Sequence, residues 1–166
     1  MSASPQHRFA VSATLALACT VGLSPAAFAD DIIDVPAGVA CAGFDLRIEI
    51  VGGVQVNKVF ADKNGNPVRY LSAGKGSELT FKNLNTGAHL LVKPNGSVTQ
   101  QRVNADGSST FQSTGHNVII LFPTDVPAGP STVQYIGRVT YTIDTSAVFT
   151  LRSFSGKSTD ICAALS

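Results

Sequence analysis

The chain has 166 residues, with 12 basic and 11 acidic side chains and a formal net charge of +1. This near balance argues against nucleic acid as a partner and against electrostatic docking to a membrane. The chain contains no tryptophan, which disfavours sugar recognition by ring stacking.

The first 29 residues predict a secretory signal peptide. His7 and Arg8 form a short basic region, an uncharged run follows at 9–23, and the small-residue triplet Ala27-Phe28-Ala29 comes next. This order is typical of a leader that is cleaved after Ala29. The uncharged run is shorter than the roughly 20 apolar residues of a membrane-spanning helix. A lipid-modified Cys19 is the alternative.

The predicted mature chain, residues 30–166, forms a single secreted β domain. Its 137 residues can bury a core, and its acidic and basic side chains are equal in number. It contains no second apolar run long enough to span a membrane, so we expect an extracellular protein. Two cysteines remain, Cys41 and Cys162, and export exposes them to an oxidising environment. Only one intramolecular pairing exists, which predicts a Cys41–Cys162 disulfide that brings the two ends of the domain together.

Alternation of apolar and polar residues predicts an all-β fold. The segment "FDLRIEIV" (44–51) places apolar side chains on one face, and Asn-Gly and Asp-Gly motifs mark tight turns between such segments. The segment "NVIILF" (117–122) is apolar on both faces and predicts a central strand covered on both sides. The predicted strands are 43–51, 54–61, 67–73, 78–84, 88–93, 97–104, 108–113, 117–123, 132–143 and 147–154.

Short connections between these strands favour an antiparallel sheet. Because the disulfide joins the two ends of the domain, we expect a single closed β-barrel, with a two-sheet β-sandwich as the alternative. The last segment, "ICAALS" (161–166), predicts a short C-terminal helical turn that Ser158, Thr159 or Asp160 could cap.

Few residues of the mature chain offer catalytic chemistry. Its two histidines are His89 and His116, and zinc sites and nucleophilic sites need more partners than these. We therefore predict no catalytic residue, no metal site and no cofactor. A hydrolase or isomerase that uses His116 with Asp106 or Asp125 is the least favoured alternative.

The predicted binding surface is a pair of loops, at 114–117 and 123–131. Three prolines stiffen the second loop, and loops on a rigid scaffold commonly carry binding residues. The candidate binding residues are His116, Asn117, Asp125 and Pro127. We expect a monomeric, non-catalytic interaction module whose partner is a protein or a cell-surface polymer. A barrel that carries a small apolar ligand is the alternative.

Four segments of the chain together resemble a group of known sequences. They are "DKNGNPVRYL", "NTGAHLLVKPNGSVT", "STFQSTGHNVIILFPTDVPAGP" and "SFSGKSTDICAAL". With the alanine-rich leader, they are similar to small exported proteins of Gram-positive, actinobacterial type, a group with no assigned activity. The resemblance implies export and a single β domain, and it implies no active site.

Overall fold

A computed structural model of the chain describes residues 26–27, 30–93 and 95–166. The predicted leader and Cys19 lie outside the described residues, apart from the backbone of Ala26–Ala27. Within the described ranges, no helix is long and apolar enough to cross a membrane.

Strands dominate the described chain, and all of their pairings are antiparallel. The elements are β1 (Ala26–Ala27), β2 (Asp31–Val35), β3 (Leu46–Val51), β4 (Val54–Ala61), β5 (Pro67–Gly74), β6 (Glu78–Asn83), β7 (His89–Val92), β8 (Ser97–Val103), β9 (Ser109–Leu121), β10 (Ser131–Ile143), β11 (Phe149–Asp160) and α1 (Ile161–Ala164). They form a large seven-stranded sheet, β1-β4-β5-β8-β9-β10-β11, and a small four-stranded sheet, β2-β3-β6-β7.

The predicted closed barrel is wrong, and the two-sheet alternative fits better. Strand β2 belongs to the small sheet and β11 to the large one, so no hydrogen bonding between them closes a cylinder in the described chain. The Cys41–Cys162 disulfide is confirmed, with 5.6 Å between the Cα atoms. It joins the β2–β3 connection to α1, so the ends of the domain meet without pairing as strands. The short C-terminal helix is also confirmed, and Asp160 caps it by accepting a hydrogen bond from the Ala163 N–H.

A row of glycines crosses the three longest strands of the large sheet. Gly115, Gly137 and Gly156 lie side by side on β9, β10 and β11, and all three have positive φ. A Cβ atom on Gly137 would lie 2.1 Å from the Ser155 carbonyl oxygen, so only glycine fits this close backbone approach. We call the strand segments 116–121, 131–136 and 157–160, on one side of this row, the inner half of the large sheet. The outer half comprises β4, β5, β8 and the segments 109–114, 138–143 and 149–155.

The large sheet folds back on itself at this glycine row. Leu121 pairs with Ser131 at one end of β10, and Phe149 pairs with Ile143 at the other. In a flat sheet these ends would be about 40 Å apart. Yet the carboxylate of Asp125, four residues after Leu121, accepts a hydrogen bond from the Phe149 N–H at 3.2 Å. Four residues reach at most about 14 Å, so the outer half must turn back over the inner half.

Two apolar cores result from this arrangement. The first lies between the small sheet, the inner half and α1, and includes Leu46, Phe81 and Ile161. The second lies inside the fold of the large sheet and joins Ile119 and Tyr135 of the inner half to apolar residues of the outer half. Strand β9 contributes alternate residues to the two cores, as predicted for a segment that is apolar on both faces.

The three largest differences from the predicted strands have local reasons. The predicted strands 108–113 and 117–123 form one strand, β9, because Gly115 bends the strand without ending it. Strand β11 continues through 155–160, since Gly156 also stays paired within the sheet. Strand β2 lies outside the predicted strands, because Asp31 and Asp34 interrupt the apolar pattern of this short segment.

Candidate functional site

The structure separates the four predicted binding residues. His116 and Asn117 lie within β9, so the expected loop at 114–117 is wrong. Asp125 and Pro127 lie in the connection between β9 and β10, at residues 122–130. Successive strand residues point to opposite faces of a sheet, so His116 and Asn117 cannot present one shared surface.

Asp125 is part of the scaffold. Its side chain is 7 % exposed. One carboxylate oxygen accepts a hydrogen bond from the Phe122 N–H at 2.7 Å, and the other accepts from the Phe149 N–H. The bond from Phe122 closes the connection on itself, and the bond from Phe149 holds it against the outer half. Pro127, two residues further on, is exposed.

The residues of the hydrolase alternative are not brought together. Asp106 lies in the β8–β9 turn and accepts hydrogen bonds from the hydroxyl and the N–H of Ser108. The seven residues of β9 between this turn and His116 extend about 23 Å. Asp125 accepts from the N–H groups of Phe122 and Phe149, and His116 Nδ1 has no hydrogen-bond partner, so neither carboxylate orients His116 as a catalytic base.

His116 lines a groove of about 310 Å³ between the two sheets. Its Nδ1 atom is buried without a hydrogen-bond partner, as is Nδ2 of Asn117. Among the described residues, no group of three or more histidine, cysteine, aspartate or glutamate side chains is placed to hold a metal ion.

The exposed face of the outer half gathers basic side chains from several strands. Residues directly opposite each other on antiparallel strands share a face, and the register pairs Phe60 with Arg69, Arg69 with Arg102, and Thr114 with Arg138. Lys58 and Arg152 complete this surface, which we call the cationic face. Its charged members are Lys58, Arg69, Arg102, Arg138 and Arg152.

Neutral hydrogen-bonding side chains lie between these cations, and the aliphatic Leu71 and Val98 lie on the same face. Arg152 donates from Nε to the Thr142 hydroxyl at 3.1 Å, which fixes its position on this face. The other neutral members are Gln100, Gln112, Thr110, Thr114, Thr140, Ser153 and Ser155. Neighbouring strands are about 4.8 Å apart, so this face is about 24 Å wide from β4 to β11.

Among the described residues, the cationic face contains no carboxylate. In the part of the chain that the structure describes, the only ion pair joins Arg47 to Asp34 on the small sheet, at 2.7 Å. The one aromatic ring on this face, Phe60, is covered by two cations: the Arg69 guanidinium is 3.9 Å and the Lys58 ammonium 5.0 Å from its centroid. These charges are therefore available to an external anion.

The nearest acidic residues along the strands bond to their own turns. Asp62, Asp106 and Asp144 lie in the three hairpin turns at the tip of the outer half. Hydrogen bonds from the N–H groups of Asn66 and Asn64 lower the pKa of Asp62 below 3.8. The Ser108 hydroxyl and N–H likewise lower the pKa of Asp106. Both carboxylates stay ionised, and their hydrogen bonds direct them into the turns and away from the cationic face.

Comparisons with known proteins do not assign a function to this surface. A scan against protein-family models finds no match, and neither curated proteins nor solved structures include a significant one.

The arginines of the cationic face were missed by the sequence analysis. Each lies at a polar position of an alternating strand, as in "PVRYL" (67–71) and "QQRVN" (100–104). Alternation predicts that such side chains face solvent, but their convergence depends on strand order and register. The balanced net charge also gives no indication of this cluster of arginines, because the acidic residues that balance it lie mostly in turns or on the small sheet.

Proposed function

We propose that this chain is an exported, non-catalytic binding module whose cationic face binds an anionic cell-surface polymer. The ligand class is a polysaccharide or glycopolymer that carries repeated carboxylate or phosphate groups. Export is part of the proposal, and the disulfide and the predicted leader support it.

The observation that carries the proposal is the unpaired charge of the cationic face. Five basic side chains share one exposed sheet face without a carboxylate among them. Arginine donates paired hydrogen bonds that match carboxylate and phosphate groups. Arg69 and Arg102 are directly opposite on neighbouring strands, so an anion between them relieves their mutual repulsion.

The neutral residues suit an extended, hydroxyl-rich ligand. Glutamine, threonine and serine side chains can donate and accept hydrogen bonds, so they can bind sugar hydroxyls between the charged groups. Single-stranded nucleic acid usually stacks its bases on exposed aromatic rings. Phe60 is covered by Lys58 and Arg69 and offers no free ring for stacking.

The test compares two matched double variants of the purified, disulfide-bonded protein. Arg69→Gln with Arg102→Gln removes an opposed pair of cations from the cationic face. Arg47→Gln with Lys82→Gln removes an equally opposed pair from β3 and β6 of the small sheet. Both variants lose the same formal charge, and the small-sheet variant also loses the ion pair between Arg47 and Asp34.

Affinity is measured by calorimetry for polygalacturonate and poly(glycerol phosphate), with neutral dextran and single-stranded DNA as comparisons. We expect binding to at least one of the two anionic polymers and none to dextran. For about five contacts, affinity should fall about 100-fold between 50 and 200 mM salt. Loss of Arg69 and Arg102 should weaken binding at least 10-fold, whereas the small-sheet variant should bind like the wild type.

Equal losses in the two variants would refute the cationic face as the binding site. Binding to neither anionic polymer, or tighter binding to DNA than to both, would refute the proposed ligand class.

A further inference from the structure

The groove between the two sheets is separate from the cationic face and has a different chemistry. It lies where the start of β4, the end of β5 and the start of β8 approach the small sheet, and its volume is about 310 Å³. Aliphatic side chains from both sheets line it: Val54, Val118, Ile50, Leu79 and Val92. The groove therefore has an apolar wall on each side.

The ionisable groups that line this groove are all bases. Lys75 and Lys93 are exposed, and neither forms an ion pair within the described ranges. His116 is the third, and none of the described residues that line the groove is a carboxylate. The apolar walls and the exposed lysines thus divide the groove into a hydrocarbon-binding part and a cationic part.

We propose that this groove binds a small aliphatic carboxylate, such as a short or medium-chain fatty acid. The hydrocarbon chain lies against Ile50, Leu79 and Val118, and the carboxylate pairs with Lys75 or Lys93. Aliphatic walls favour a hydrocarbon chain over a planar aromatic ligand, because no phenylalanine or tyrosine among the described residues lines the groove and the imidazole of His116 is its one ring. The basic groups select an acid over an alcohol of the same length.

The experiment titrates the isotopically labelled protein with octanoate and, separately, with octanol, and follows the backbone amides by NMR. We expect octanoate to shift the amides of Ile50, Leu79 and Val118. Octanol should bind at the same place about 10-fold more weakly. Octanoate should bind about 15-fold more tightly than hexanoate, because each of its two additional methylene groups contributes about fourfold.

A double variant distinguishes the charge from the apolar walls. Lys75→Gln with Lys93→Gln should reduce octanoate affinity to that of octanol and leave octanol affinity unchanged. Lys63→Gln with Lys157→Gln is the charge-matched control, because neither residue lines the groove, and it should bind octanoate like the wild type. All four lysines are exposed, so folding should be preserved.

Equal affinities for octanoate and octanol, or octanoate shifts confined to residues outside the groove, would overturn the proposal. The result is independent of polymer binding. The Lys75 and Lys93 variant keeps the whole cationic face and should bind polygalacturonate as the wild type does.

Discussion

The two halves of the large sheet differ in how many of their faces are buried. The inner half packs Val118 and Ile120 against the small sheet and Ile119 and Leu121 against the outer half. The outer half packs one face inward and leaves the opposite face exposed. Stability should therefore be concentrated in the inner half. The exposed outer face has no packing role and is free to carry unpaired cations, to which we assign the proposed binding.

The largest expected effect comes from removing the covalent link at the inner half. Cys41→Ser with Cys162→Ser opens a loop of 121 residues, and the chain-entropy relation gives a loss of about 4–5 kcal/mol in the free energy of unfolding. Urea denaturation measures this loss directly. A loss under about 1 kcal/mol would show that the disulfide does not anchor this region.

The boundary between the halves is tested by substituting the central glycine of the row. In Gly137→Ala, the new Cβ meets the backbone of β11 on a residue with a φ of +138°. We expect a loss of about 3 kcal/mol from strain and crowding. The matched control is Gly43→Ala, where nothing lies within 4 Å of the added Cβ, and it should change stability by less than about 1 kcal/mol. Similar results for both variants would contradict a fold at the glycine row.

A pair of threonines on β10 makes the same comparison within one strand. Thr132 in the inner half is fully buried, and its hydroxyl donates to the Ala40 carbonyl at 3.0 Å. Thr140 in the outer half lies on the exposed face. Thr132→Val should cost about 1 kcal/mol, and Thr140→Val should stay within about 0.5 kcal/mol. Thermal unfolding of the two variants measures both losses of stability. A larger loss for Thr140→Val than for Thr132→Val would contradict the concentration of stability in the inner half.

The smallest effect concerns a hairpin turn at the tip of the outer half. The pKa of Asp62 is lowered by its turn, so its contribution to stability is present above the ordinary value of 3.8 and is lost as pH falls through the lowered value. Asp62→Asn removes this titration. Melting temperatures measured from pH 5 to pH 2 should therefore fall less steeply in the variant than in the wild type. Identical slopes would show that the turn does not depend on the ionised carboxylate.

Much of the fold could be predicted from local pattern. Period-two alternation located most of the strands, and the two mature cysteines defined the disulfide. Closure of the sheet could not be predicted, because the same alternation describes a barrel and a folded sheet. Gly115 shows the difficulty: glycine in "STGHN" (113–117) is typical of a turn, but here it bends a continuous strand and lies directly opposite Gly137 of β10.

The candidate site was less predictable than the fold. His116 and Asp125 are conspicuous in the sequence by residue type. In the structure, His116 lies beside a groove, and both carboxylate oxygens of Asp125 accept backbone hydrogen bonds. Arg69 and Arg102 are 33 positions apart in the sequence. Only the pairing of β5 with β8 makes them neighbours.

The most direct test of the division between a stabilising inner half and a binding outer half is a backbone-amide NMR map of the protein with polygalacturonate. Strands β5 and β8 and the outer part of β9 should show the largest shifts, and the small sheet should show almost none. Shifts concentrated in β3 and β6, or in the connection at 122–130, with β5 and β8 unchanged, would contradict the account.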